Sequence, residues 1–172
     1  MSAWIFWSSV ILIAYAYVGY ALLVSLLARA SGSAPPKLAH TPPVTVVITA
    51  YNEAPRIAAR LRNILAQDYP ADRLSIVVVS DGSDDGTERA AAIDDRVRVL
   101  ALPENTGKAA ALNAAMSAVR TEFVAFTDAR QSFAPDALRR LLAAFADPRV
   151  GAVTGELRIV ETAGARAGDT GL

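Results

Sequence analysis

The sequence predicts an α/β fold in which a mostly parallel sheet is covered by helices on both faces. Three short strands support this prediction, namely Val44–Thr49, Leu74–Val79 and Phe123–Phe126. Each strand is almost continuously apolar and rich in β-branched or aromatic residues, as expected for strands that are buried on both faces. Amphipathic segments between the strands supply the covering helices.

Polar residues follow each of these strands directly. Tyr51-Asn52-Glu53 comes after the first strand, Asp81 lies in the segment after the second, and Asp128 follows Phe123–Phe126. In open α/β sheets, ligands bind outside the carboxyl ends of the strands. We therefore expect these polar segments to meet at one edge and to form one site.

The helix predicted after the first strand spans Pro55–Gln67 and has one apolar face. Its apolar residues recur with helical spacing, so this face is expected to pack on the sheet. They are Ile57, Leu61, Ile64 and Leu65. The residues expected on the opposite side are Arg56, Arg60 and Asn63.

The remaining elements follow from the same patterns. Further helices are predicted over Thr87–Ile93, Lys108–Arg120 and Pro135–Phe145, and further strands over Val97–Leu102, Val150–Thr154 and Leu157–Val160. The apolar face of the Lys108 helix is expected to be Leu112, Ala115, Met116 and Val119. Residues 163–172 are rich in Gly and Ala without a pattern, and a loose tail is expected there.

The first 28 residues contain no charged side chain, and residues 4–28 are predicted to form one transmembrane helix, since a span needs about 20 apolar residues. A cleaved signal peptide ending at Ala28-Arg29-Ala30 is the alternative. It is disfavoured because no Lys or Arg precedes the apolar run and the run exceeds a signal core of about 7–15 residues. Arg29 and Lys37 follow the span, which predicts an outside N-terminus and a cytoplasmic α/β domain in a bacterial-type inner or plasma membrane.

Residues 29–43 are rich in Pro and Ser and are interpreted as a linker. Its single histidine, His40, is expected to be solvated and to have no role. The 172-residue chain carries 17 basic and 17 acidic side chains, which argues against a nucleic-acid partner. It contains no Cys, which excludes disulfides and thiolate metal sites. An EF-hand and a P-loop are also rejected, because Ala92 and Ala109 replace residues that these motifs require.

Four motifs in order carry a family resemblance. They are Thr49–Glu53, Ser80–Thr87, Asn105–Ala109 and Phe126–Ala129. Together they resemble the family 2 glycosyltransferases over roughly Pro42–Val160. The resemblance implies the nucleotide-sugar-binding half of a GT-A fold at residues 44–162, in a membrane-attached enzyme similar to the polysaccharide synthases.

The resemblance also implies a nucleotide site with specific chemistry. Asp81 can accept a hydrogen bond from a uracil N–H, and Thr49 and Tyr51 can pack around the same base. Lys108 begins a helix and can offer its ammonium and the helix N-terminus to the diphosphate, whose negative charge must be stabilised as it leaves. The expected nucleotide-binding residues are Thr49, Tyr51, Glu53, Asp81, Lys108 and Asp128. The alternative that Asp81, Asn105 and Asp128 only end strands and turn the chain stays open.

Asp128 begins the motif that binds a metal ion in the family, an Asp-x-Asp. Here the motif is Asp128-Ala129-Arg130, so a guanidinium replaces the second carboxylate. One carboxylate holds Mg²⁺ or Mn²⁺ weakly unless substrate phosphates complete the coordination shell. The hypothesis is that Asp128 and the diphosphate bind the ion, while Arg130 adds charge near the leaving group or points away.

The resulting functional prediction is an inverting glycosyltransferase that moves sugar from a UDP-sugar to a saccharide or lipid-linked acceptor. The family's catalytic base and acceptor half are expected beyond Leu172, so this chain is interpreted as a donor-binding half that is inactive alone. The alternative is a non-catalytic nucleotide-sugar-binding or regulatory membrane module. A nucleotidyltransferase is disfavoured, because Tyr-Asn-Glu stands where a Gly-rich basic signature belongs.

Overall fold

The structure is a computed structural model that describes residues 2–31 and 40–158. The chain divides into two compact units, Met1–Pro35 and Pro36–Leu172. The first contains one long helix, and the second contains an α/β sandwich of one sheet and its covering helices.

The N-terminal helix consists of α1 (Ser2–Ala14), a π-turn (Tyr15–Gly19) and α2 (Tyr20–Ser31). In the π-turn the Tyr20 N–H donates to the Tyr15 carbonyl. Gly19 makes room for this wide turn, since a Cβ there would lie 3.0 Å from Cδ2 of Tyr15. Length and composition make the 28 residues Ala3–Ala30 a candidate membrane span. The helix continues through Ser31 and so includes three residues assigned to the linker.

Within the described residues, four parallel strands form the sheet, in the order β3-β2-β1-β4. They are β1 (Val44–Ala50), β2 (Leu74–Asp81), β3 (Val97–Leu102) and β4 (Phe123–Asp128). β1 and β2 are buried almost throughout, as their continuous apolar sequences require. The prediction of an α/β fold with a parallel sheet is confirmed.

Helices cover both faces of this sheet. They are α3 (Ala54–Leu65), α4 (Thr87–Ala91), α5 (Lys108–Ala118) and α6 (Ala137–Ala143), the last followed by a 3₁₀ turn at Ala144–Ala146. One face of β1, with Val46 and Ile48, packs with residues of α3, α4 and α6, and the other face, with Val47, packs with residues of α5. Alternate side chains of one strand thus enter two separate cores.

Two expectations about single segments are wrong. The strand predicted over Val150–Thr154 is absent, and residues 151–158 are exposed, because a short apolar run forms a strand only where a neighbouring strand can pair its backbone groups. The strand predicted over Leu157–Val160 lies partly outside the described residues. His40 is not simply solvated but packs edge-on against Phe123, with 5.9 Å between ring centroids. Its Nε2 is buried and has no hydrogen-bond partner among the described residues. The predicted tail and most of the linker lie outside the described part of the chain.

Candidate active site

The order of the strands creates a switch point between β1 and β4. The chain adds β2 and β3 on one side of β1 and then returns to place β4 on the other side. Thr49 of β1 pairs in register with Asp128 of β4. Crevices at such switch points, outside the carboxyl ends of the strands, are where open α/β sheets bind ligands. Two of the predicted site residues therefore meet at the position that the topology favours.

Lys108 joins this pair from the N-terminus of α5. Its Nζ lies 3.6 Å from Oδ2 of Asp128, and the two side chains are 66% and 44% exposed. Tyr51 follows β1 at the same edge and is 52% exposed. The edge is thus an open surface with an ammonium, a carboxylate and an aromatic ring available to a ligand. Salt bridges between exposed groups contribute little to stability, so the Lys108–Asp128 pair is not needed to hold the fold.

Glu53 is a buried acid of the site, and its carboxylate contacts two guanidinium groups. Its carboxylate accepts from Nε of Arg130 at 2.7 Å and lies 3.5 Å from Nη1 of Arg56. The residue is only 5% exposed, whereas the Arg130 side chain is 55% exposed. Glu53 follows β1 and Arg130 follows β4, so this ion pair spans the switch point. The sequence placed Glu53 at the site but could not identify its partner.

Asp81 ends β2 and organises the loop that leads to Lys108. Its Oδ1 accepts from the backbone N–H and the hydroxyl of Thr106, both at 2.8 Å, and its Oδ2 accepts from the Gly107 N–H at 2.9 Å. The side chain is buried. Burial alone raises the pKa of this carboxyl, but the hydrogen bonds from Thr106 and Gly107 outweigh it and hold the pKa below its usual value. Contact between Asp81 and a base remains a prediction.

We expect Asp81→Asn to destabilise the α/β unit by about 1.5–3 kcal/mol at pH 7, the range for hydrogen bonds to a charged group. The carboxamide presents an NH₂ where the loop offers only donors. Because the pKa of Asp81 is lowered on folding, its contribution is complete above about pH 4 and is lost as the pH falls through the folded value. Urea unfolding of the full chain in detergent, followed by circular dichroism, should show a flatter pH dependence for the variant.

The matched control is Asp84→Asn, a change at an exposed carboxylate in the same loop. It should alter the free energy of unfolding by no more than about 0.5 kcal/mol. Equal losses in both variants would contradict the role assigned to the Asp81 hydrogen bonds.

The loops after β1 and β2 are tied together by side chains that had no predicted role in the site. The Glu53 N–H donates to the Thr87 hydroxyl at 2.9 Å, and the Ala54 N–H donates to Oδ2 of Asp85 at 2.9 Å. Oδ1 of Asp85 accepts from the Thr87 N–H at 3.0 Å. Asp85 therefore caps the first turns of α3 and α4 together. Asp85 lies in the segment for which an EF-hand was rejected, and this bonding gives it a structural role instead.

Arg60 donates hydrogen bonds to the chain at Asp128, although the sequence predicted this residue on the solvent side of its helix. It is only 3% exposed. Its Nε donates to the Asp128 carbonyl at 3.2 Å and its Nη2 to the Thr127 hydroxyl at 2.7 Å, and the guanidinium lies 4.2 Å from the centroid of the Phe133 ring. Burial lowers the pKa of Arg60 to about 10, and Asp128 opposes this shift. Arg60 therefore stays protonated at neutral pH.

A divalent ion fits this site only together with substrate oxygens. Among residues 2–31 and 40–158, no group of three or more His, Asp or Glu side chains is arranged to hold a metal. At the edge, Asp128 is the predicted metal ligand, and Lys108 lies beside it. Glu53 is already engaged by Arg130 and Arg56. The described part of the chain thus offers one available carboxylate at this edge, and diphosphate oxygens would have to supply the other ligands.

A shallow depression lies at the opposite end of the sheet, near the amino ends of the strands. Its lining includes Thr45, Ser75, Arg96, Arg98 and Arg120. Arg96 is neutralised by an ion pair with Asp94, with 2.9 Å between Nε and Oδ1. Since open α/β sheets bind ligands at the carboxyl ends of their strands, we do not assign the nucleotide to this depression.

Known proteins resemble this chain in sequence. It is 39% identical over 110 residues to the succinoglycan biosynthesis protein ExoO of Rhizobium meliloti (strain 1021), a match that covers 63% of the chain and 31% of that protein. It is also 39% identical over 129 residues to an N-acetylglucosaminyltransferase of Mesorhizobium japonicum, covering 72% of the chain and 30% of the relative. The chain therefore spans about a third of the length of these curated relatives.

Solved structures show the same likeness. The mannosyltransferase PcManGT from Pyrobaculum calidifontis, in complex with GDP-Man and Mn²⁺, has a TM-score of 0.68 and 37% identity, covering 82% of this chain and 44% of its own. S. aureus TarS in complex with UDP-GlcNAc has a TM-score of 0.55 and 28% identity, and the match covers 61% of this chain and 31% of the TarS chain. The family model for glycosyl transferase family 2 matches residues 45–168. The chain therefore belongs to glycosyl transferase family 2.

Proposed function

We propose that this chain forms the nucleotide-sugar-binding part of a membrane-anchored inverting glycosyltransferase that uses a UDP-sugar. The observation that supports the proposal most directly is the meeting of Lys108 and Asp128 at the β1–β4 switch point, 3.6 Å apart. A diphosphate needs positive charge at such an edge, and a leaving diphosphate needs it more. The proposed acceptor is a saccharide or a lipid-linked acceptor.

Each residue at the edge has a part in this proposal. The Lys108 ammonium and the N-terminus of α5 bind the diphosphate. The exposed ring of Tyr51 packs against the base, beside Thr49. Asp81 holds the loop that positions Lys108, and a carboxylate oxygen with one bonded donor retains room for a base N–H. Asp128, together with the diphosphate, binds Mg²⁺ or Mn²⁺, which would help neutralise the leaving group.

The N-terminal helix anchors the enzyme in the bacterial inner membrane in this proposal. It is long enough, since 28 residues at about 1.5 Å each exceed a hydrocarbon core of about 30 Å. Arg29 follows the apolar run, so the positive-inside rule favours a cytoplasmic α/β unit. Residues 4–28 form the span, 29–43 connect it, and 44–162 form the transferase unit.

Nucleotide binding tests the proposal directly. Calorimetric titration of the full chain in detergent micelles, with Mn²⁺ present, should detect UDP, and GDP serves as the competing ligand because one neighbour binds GDP-Man. Lys108→Met should weaken binding by about 10–100-fold, the range for one charged hydrogen bond. Arg98→Met, at an exposed residue of β3, is the matched control and should leave affinity unchanged. Equal affinities for both variants would contradict the assigned site.

A non-catalytic nucleotide-sugar-binding module is the second candidate. The observation that favours it is Arg130, which replaces an acid of the family's metal motif. A hybrid in which this chain replaces the matching segment of the Mesorhizobium japonicum N-acetylglucosaminyltransferase separates the two functions, because the chain matches only 30% of that relative's length. Release of UDP from UDP-N-acetylglucosamine by the hybrid, above the rate without protein, supports the transferase, whereas tight binding with no release favours the module.

A further inference from the structure

Arg130 stands where the family has a carboxylate, and its surroundings suit it to bind phosphate. We propose that Arg130, held in place by Glu53, binds the diphosphate and takes over charge that the divalent ion supplies in relatives with two carboxylates. The inference rests on the proposed function, because it assumes that a nucleoside diphosphate occupies the β1–β4 edge. It predicts nucleotide binding that depends only weakly on a divalent ion.

The charges at the β1–β4 edge favour an anionic ligand. Among the groups joined by ion pairs at this edge, Lys108, Arg130 and Arg56 contribute three positive charges, and Glu53 and Asp128 contribute two negative ones. An aspartate at position 130 would instead leave two positive and three negative charges. The replacement therefore raises the local charge by two, which equals the charge of Mg²⁺ or Mn²⁺. Since a diphosphate attracts cations of either kind, the guanidinium reduces the need for the ion.

The Arg130 guanidinium also has the geometry to bind a phosphate. Only Nε is used by Glu53, at 2.7 Å, and its terminal nitrogens donate to no acceptor within the described part of the chain. The planar guanidinium is suited to bidentate contact with phosphate. The buried carboxylate of Glu53 holds Nε of the exposed Arg130 side chain in place. Glu53 is thus a positioning residue that acts through Arg130.

A backbone contact with Asp128 keeps Arg130 next to the predicted ion site. The Arg130 backbone N–H approaches Oδ1 of Asp128 at 3.4 Å, while Oδ2 faces Lys108 at 3.6 Å. Both carboxylate oxygens of Asp128 therefore lie beside protein donors. An ion bound by this single carboxylate would compete with those donors, which weakens its hold relative to a site with two acids.

The test compares a guanidinium with a carboxylate at position 130. Calorimetric titration of the full chain in detergent with UDP and with GDP is performed in Mn²⁺ and in EDTA. For the wild-type chain we expect chelation to change Kd by less than about 3-fold. For Arg130→Asp, which recreates the two-acid motif, we expect Kd to rise on chelation by at least about 10-fold, the value of one charged hydrogen bond.

Arg89→Asp is the matched control, since it makes the same change of charge at an exposed position on α4. It should behave as the wild-type chain does in both buffers. If wild-type binding requires Mn²⁺ as strictly as that of Arg130→Asp, or if Arg89→Asp acquires the same dependence, the inference is overturned and the proposed function stands. If neither nucleotide binds to any variant, the proposed function itself fails.

Discussion

Gly82→Ala is expected to destabilise the α/β unit by about 2–5 kcal/mol, from overpacking and left-handed strain together. Gly82 has φ of +69°, and a Cβ there would lie 2.9 Å from Cα of Glu104 and closer still to the carbonyl carbon of Glu104 and the nitrogen of Asn105. These neighbours are backbone atoms, so they cannot rotate away. The loop before Lys108 would have to move off Asp81, which precedes Gly82 directly.

Gly86→Ala is the matched control, because Gly86 also has a positive φ of +88° but has nothing within 4 Å of the position that a Cβ would occupy. Gly86→Ala should lower the free energy of unfolding by about 1–2 kcal/mol, through backbone strain alone. Urea unfolding of both variants in detergent measures the difference, and nucleotide titration should show weaker binding only for Gly82→Ala. Equal losses of stability would mean that the loop at Glu104 adapts freely.

The strands and the site edge could be predicted because both depend on local patterns. Continuous β-branched runs specify strands buried on two faces, and residues directly after parallel strands must lie at one edge. The strand ends were predicted too early. Asp81 and Asp128 are the last residues of β2 and β4, because backbone pairing continues regardless of side-chain polarity.

The partners within the site could not be predicted, because they are distant in sequence. Glu53 and Arg130 are separated by 77 positions, and no local pattern links them. Arg60 was assigned to the solvent side of α3 for a similar reason: a charged residue opposite an apolar stripe is usually exposed. Its burial depends on the chain around Asp128, which wraps over that side of the helix.

The contact face of α5 shows a different limit. Met116 was expected in the core but is 43% exposed, whereas Ala115 is buried as expected, together with Ala111 and Ala118, which were not on the predicted face. Large apolar residues dominate pattern recognition, yet small residues allow a helix to lie closely on a sheet. Alanines spaced at i, i+4 and i+7 were the correct signal, and they are easily overlooked in a chain as rich in alanine as this one.

Arg60→Met is expected to lower the free energy of unfolding by about 2–4 kcal/mol, because more than one hydrogen bond from a charged donor is lost, each worth about 1.5–3 kcal/mol, and removal of a buried charge offsets part of this loss. Methionine can fill part of the space next to Phe133 but donates no hydrogen bonds. The Asp128 carbonyl and the Thr127 hydroxyl would lose the donors that now reach them at 3.2 and 2.7 Å. The end of β4 would therefore be less firmly held.

Arg62→Met provides the comparison, because Arg62 lies on the same helix and is exposed. Its effect on urea unfolding should stay within about 0.5 kcal/mol. Nucleotide titration adds a second readout: a displaced Asp128 also displaces its neighbour Lys108, so Arg60→Met should bind UDP more weakly at temperatures where it is still folded. If Arg60→Met matches Arg62→Met in both measurements, the buried guanidinium does not support the site, and the Asp128 segment must keep its conformation through its pairing with β1 alone.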